Sequence, residues 1–193
     1  MGFEIKDGTG SNRRVGVTTG NRLKVSSVSS SEREEVAANG DAYLIGSGFV
    51  TLTSANQSSV LWFKNDNDFD LVITRYLLSV RASTNGTENH LRGILIKNPT
   101  AMSGGSSVAV LAPNANFGSS NELTLTSEIG AEGATLTGGS SFAALVAPVE
   151  ALTAETAATI IPKGSSIGVN IIPPASNTSL QVSVGLNVHK ILI

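Results

Sequence analysis

Apolar and polar residues alternate with a period of two along much of this chain. The clearest run is Leu180, Val182, Val184, Leu186 and Val188, with Gln181, Ser183 and Asn187 between them. Successive side chains of a strand point to opposite faces, so this run predicts a strand with one buried and one polar side. Residues 166–172 are its expected partner, with Pro173, Pro174 and Asn177 in the connection. Further strands are expected at 49–53, 59–64, 70–81 and 91–97, and weaker ones at 108–111, 123–126, 142–146 and 159–161. In the 70–81 run, Val72, Thr74, Tyr76, Leu78 and Val80 share one face, and Leu71, Ile73 and Leu77 lie on the other beside Arg75. Residues 149–155 fit a turn or two of helix as well as a strand. About eight short strands punctuated by turn clusters predict an all-β fold, an antiparallel jelly-roll sandwich over residues 41–193.

The beginning of the chain reads differently. Residues 11–25 carry Arg13, Arg14, Arg22 and Lys24, no acid, and few large apolar side chains. Residues 1–40 are therefore expected to form an extended N-terminal arm that gains order only by lying on another surface. At its end, Ser31-Glu32-Arg33-Glu34 has the form of a capping box and Asn39-Gly40 supplies a left-handed stop. One or two turns of helix fit between them.

Composition narrows the possibilities. The 193 residues contain no cysteine, which excludes a disulfide scaffold, a thiolate metal site and a cysteine nucleophile. Thirteen basic and 15 acidic residues give a net charge of −2, too neutral for a dedicated nucleic-acid binder. Residues 1–20 have no apolar stretch, and the longest uncharged apolar run, 142–149, falls far short of the ~20 residues that span a bilayer. Synthesis in the cytoplasm and no membrane partner are the expectation. Only 15% of the chain is charged. Between Lys97 and Lys163 there is no basic residue, and the acids are Glu122, Glu128, Glu132, Glu150 and Glu155. A neutral surface desolvates cheaply and suits packing against copies of the chain or a larger lattice. It also fits a plain polar β surface with no partner.

Candidate chemistry is sparse. Gly164-Ser165-Ser166-Ile167-Gly168 spells a nucleophile elbow, but Val169-Asn170-Ile171-Ile172-Pro173 continues it as a strand, where the elbow needs a helix. His90 and His189 are poorly placed as bases, so no catalytic residue is assigned and no enzyme is expected. Asp66, Asp68 and Asp70 resemble the start of a calcium loop. Leu71 and Leu77 stand where an EF-hand needs glycine and glutamate, which leaves an acidic hairpin loop or a looser ion site. No cofactor is implied. Asn56, Asn85 and Asn177 begin glycosylation-like triplets that, without a secretory signal, mark only surface loops. Trp62 and Phe63 read as sheet core.

Several phrases together carry a resemblance: Lys6-Asp7-Gly8-Thr9-Gly10-Ser11, Asn21-Arg22-Leu23-Lys24-Val25, Gly40-Asp41-Ala42-Tyr43, Trp62-Phe63-Lys64-Asn65, and the stretch from Pro162 to Gly168. In this order they resemble structural virion proteins of tailed bacteriophages, of the capsid decoration or cement type. The resemblance implies a jelly-roll body, commonly trimeric, an arm lying on the capsid shell, and the major capsid protein as partner. It implies a place on the capsid exterior. Arg13, Arg14, Arg22, Leu23 and Lys24 then fall in the shell-binding segment. A receptor-binding or tail-fibre module that recognises a host glycan is the alternative. The apolar end, Ile191-Leu192-Ile193, is expected to pair as a strand or to enter a subunit interface.

Overall fold

The computed structural model describes residues 32–82, 90–106, 112–148, 152–175 and 179–191. The chain divides into two units, Met1–Glu32 and Arg33–Ile193, and the described residues belong almost wholly to the second. A short helix, α1 (Glu32–Ala38), is followed by ten strands among the described residues: β1 (Ala42–Leu52), β2 (Ser58–Asn65), β3 (Leu71–Ala82), β4 (His90–Lys97), β5 (Ala101–Ser106), β6 (Leu125–Thr137), β7 (Ser140–Pro148), β8 (Leu152–Ile161), β9 (Ser166–Ile172) and β10 (Leu180–Lys190). They build one sheet of four strands, in the order β1-β10-β3-β8, and one of six, β5-β6-β2-β9-β4-β7.

The pairings are nested. β4 pairs with β7, β3 with β8, β2 with β9 and β1 with β10, all antiparallel. This is one long hairpin rolled up so that its successive segments alternate between two sheets, an arrangement compatible with a jelly roll. The β5–β6 hairpin is inserted between β4 and β7 and extends the six-stranded sheet on its β2 side. Of its two strands, β6 overlaps the strand expected at 123–126, and β5 is an addition to the expected set.

The core lies between the sheets. Ile45, Ile73, Leu78, Val182 and Leu186 of one sheet meet Leu61, Phe63, Leu95, Val169 and Ile171 of the other, all buried. The period-two run of β10 lands as expected, with Leu180, Val182, Val184, Leu186 and Val188 all in the core.

Three expectations are corrected and one open reading is decided. β9 does not pair with β10; it lies between β2 and β4 in the opposite sheet, so the Pro173–Pro174 connection crosses between sheets and is no hairpin turn. Residues 65–70 likewise join β2 and β3 across the two sheets. Residues 152–155 are strand, paired through Glu155 with Tyr76 and through Leu152 with Ser79. In β3, register shifts around Thr74 bend the alternation. Leu71 and Ile73 before the bulge, and Tyr76, Leu78 and Val80 after it, are therefore all buried. The expected strand at 108–111 lies outside the described residues.

Candidate interaction surface

The residues singled out for chemistry are engaged in holding the fold. Ser166 opens β9, and its hydroxyl donates to the carbonyl of Pro99 at 2.5 Å. His90 starts β4, whereas Ser166 lies beyond that strand's other end, so the two are separated by roughly 23 Å of strand. His189 is buried in the other sheet. Trp62 and Phe63 are both core: Phe63 faces between the sheets, and Trp62 faces outward beneath a second small cluster with Met102, Ala134 and Leu136. Asn56 lies in the β1–β2 connection, while Asn85 and Asn177 lie outside the described residues. So do Arg13, Arg14, Arg22, Leu23 and Lys24.

The acidic loop after β2 is a clamp between connections. Asn65 is wholly buried; its amide donates to the carbonyls of Phe69 at 2.9 Å and Ile161 at 3.1 Å, and its oxygen accepts from the side chain of Asn67 at 2.8 Å. Asn67 in turn exchanges hydrogen bonds with the backbone of Thr124. Asp66 accepts from the hydroxyl and the N–H of Thr126 and pairs with Lys64 at 2.9 Å. The Thr126 hydroxyl, followed by Lys64, holds its carboxyl below the usual range. Asp70 accepts from the N–H of Lys163 at 3.0 Å. Asp66 and Asp70 point to separate partners, and among the described residues no three His, Cys, Asp or Glu side chains form a group that could hold a metal ion. Glu132 clamps the turn after β1 in the same way, accepting from Thr53 N–H at 3.0 Å. Hydrogen bonds from Ser54 and then Thr53 lower its pKa.

What the fold leaves outward is neutral and partly apolar. The stretch without basic residues forms β5 to β8 and their connections. β7 and β8 are the edge strands of the two sheets on one flank, and among the described residues each pairs on one side only. Their exposed positions include Phe142, Ala144, Val146 and Pro148 on β7, beside Ser140 and Ser141, and Leu152, Ala154, Ala158 and Ile160 on β8, with Glu155 the one exposed charge. Leu152 is 64% exposed, Ile160 56% and Val146 53%. A charge-poor edge carrying exposed apolar side chains lacks the lysines that keep solitary edges apart. At one end of this flank the sheets part in a cleft of about 580 Å³, lined by Phe142, Ala158, Ile160, Ile161, Pro162 and Ile167, with Lys97 beside them.

The opposite flank carries a rigid loop. Residues 113–115 run along β1: Leu44 N–H donates to Pro113, and Ala115 N–H donates to the carbonyl of Ala42. Beyond them, asparagines seal the end of α1. Asn114 donates to the carbonyl of Gly40 at 2.7 Å, Asn116 to that of Ala38 at 2.9 Å, and Asn121 to that of Gly40 at 3.2 Å. Gly40, at φ +74°, ends the helix in a Schellman turn, with Asp41 N–H on Val36 and Gly40 N–H on Ala37. A Cβ there would also strike Ser119. At the tip of this loop Phe117 is 100% exposed. No motif announced it; the signal was a run of Asn and Ser around one aromatic in an otherwise neutral stretch.

No protein-family model matches the chain, and no curated protein matches it. Among solved structures it is similar to a mutant VP2 protein of infectious bursal disease virus in derived T=1 particles, at 11% identity over 100% of this chain and 46% of that one, with a TM-score of 0.24. A second structure of T=1 particles derived from that virus gives 13% identity over 93% of this chain and 44% of that one, with a TM-score of 0.22. The chain spans less than half the length of these virus proteins. Superpositions at this level carry no functional argument.

Proposed function

We propose that this protein is a structural component of a tailed-phage virion that binds the outside of the capsid shell and stabilises it. Its N-terminal arm meets the major capsid protein, and its sandwich body associates as a homotrimer. The observation that supports this most is the neutral, apolar flank of β7 and β8: an unprotected pair of sheet edges suits a chain that works packed against copies of itself or a lattice. The sequence resemblance supports the same role. No reaction is assigned, since a protein that bridges shell subunits resists internal pressure without chemistry. Three arms on one trimer turn weak contacts into firm attachment through effective concentration.

A glycan-binding module asks for aromatic side chains beside free amides and carboxylates. Around Phe117 the asparagine amides are turned to the backbone, so that alternative gains little from the loop.

Attachment is tested by sedimenting the chain with shells of the major capsid protein encoded in the same genome. A variant with Arg13, Arg14, Arg22 and Lys24 replaced by serine should lose most of its binding. The unaltered chain should bind less tightly as salt rises, because exposed charges are screened. Undiminished binding by the serine variant would defeat the role of the arm.

A further inference from the structure

Two features lie on opposite flanks of the body, the exposed ring of Phe117 and the cleft between β7 and β8. Phe117 is wholly exposed at the tip of a loop whose asparagines are fixed to the end of α1. The loop therefore presents the ring at little entropic cost on burial. The cleft, at about 580 Å³, is large enough for an aromatic ring and lined mostly by apolar side chains. The cleft lining carries no acid, and Lys97 there places a cation near an incoming ring.

Their placement excludes contact within one molecule and favours contact between copies. The loop runs along β1, and the cleft adjoins β8, the two opposite edges of the four-stranded sheet. They also lie level along the strands: Ala42, whose carbonyl holds the loop, pairs with His189, His189 with Val72, and Val72 with Ile160 at the cleft. Three strand spacings, about 14 Å, separate these edges. A knob on one flank and a socket at the same height on the other generate a head-to-tail contact that closes into a ring when the rotation allows.

We infer that copies of this chain associate head to tail, with Phe117 of one copy seated in the β7–β8 cleft of the next. This rests on the self-association proposed above and names its interface. The area suffices: a flank about 30 Å long and 20 Å wide offers roughly 600 Å² per copy, so about 1,200 Å² in total, at the lower end of specific interfaces. The neighbouring Val146 and Leu152 fall within the same covered strip.

The absence of native cysteines makes the test direct. Phe117→Ser and Ile160→Glu both change exposed side chains, so each variant should keep its thermal melt while losing the oligomer in sedimentation equilibrium. Mixed in equal amounts, they should form a heterodimer and stop there, since only one knob and one socket remain intact. With a short bis-maleimide, Gly118→Cys/Ile160→Cys, which keeps the Phe117 ring and has room for the new side chain beside it, should crosslink into closed oligomers, whereas either single cysteine variant should stay monomeric on a denaturing gel. An unchanged oligomer in both variants would overturn the inference and leave self-association standing. Dimers from Ile160→Cys alone would also overturn it, in favour of symmetric edge pairing. A wild-type monomer at high concentration would remove the inference together with the self-association on which it rests, while shell attachment is read separately by sedimentation.

Discussion

Asn65 shows how single side chains hold one end of the sandwich. Its amide is enclosed between a carbonyl of the β2–β3 connection and one at the end of β8, and its oxygen fixes Asn67. Asn65→Ala leaves several buried polar groups without partners, each at a cost of about 1–3 kcal/mol. Urea melts should show a loss of at least about 2 kcal/mol, and an unchanged midpoint would contradict the clamp. Asp66 beside it makes the clamp depend on pH. Its folded pKa is depressed by Thr126 and Lys64, so its contribution is complete above the unfolded carboxylate range, near about 4, and is lost as pH falls through the lower folded value. The melting-temperature gap between the native chain and Asp66→Ala should be constant near neutrality and close in acid. A gap that widens as pH falls would contradict the assignment.

The inserted hairpin is the element that depends most on absent side chains. The end of β6 lies over the outer face of β2 and β9, where Leu136 rests on Gly168; a Cβ at that glycine would strike Leu136 Cδ1. Trp62, beneath it, donates its indole N–H to Pro99 at 3.1 Å. Gly168→Ala pushes against the flexible end of a side chain, so it should destabilise by about 1–3 kcal/mol. It should also shift the emission of this single tryptophan to the red as the hairpin lifts. Gly130→Ala meets the backbone oxygen of Ser59 and should be the more damaging of the two. Emission unchanged in Gly168→Ala would argue against the packing of Leu136 on Trp62.

Strands with unbroken alternation, β10 above all, were legible in the sequence because burial on one face imposes a period of two. Two kinds of feature were not. The bulge at Thr74 joins two alternating runs of opposite phase, and a scan with one phase assigns Leu71 and Ile73 to the wrong side. Partner choice was the other: β9 and β10 are adjacent in sequence, and only the packing of two sheets makes β9 cross to β2 and β4. Strands were expected at 142–146 and 159–161, but that their apolar residues face outward was not legible, since an exposed apolar face and a buried strand have the same spelling. Phe117 was hidden for a related reason, because the rigidity of its loop comes from asparagine contacts to the distant end of α1.

For the molecule as a whole, the neutral flank, the rigid aromatic knob and the cationic leading segment all point toward assembly. Light scattering of the purified chain should give a trimer across a wide range of concentration and salt, since the proposed interface is apolar. Attachment to shells should instead weaken with salt. If both processes respond alike to salt, arm and body do not have separate roles. The most direct test of the central claim is a density map of intact virions from the phage that encodes this chain. The expected result is a two-sheet body on the outer surface of the capsid, with its leading segment against the major capsid protein. Virions whose shells carry no density for this protein would contradict it.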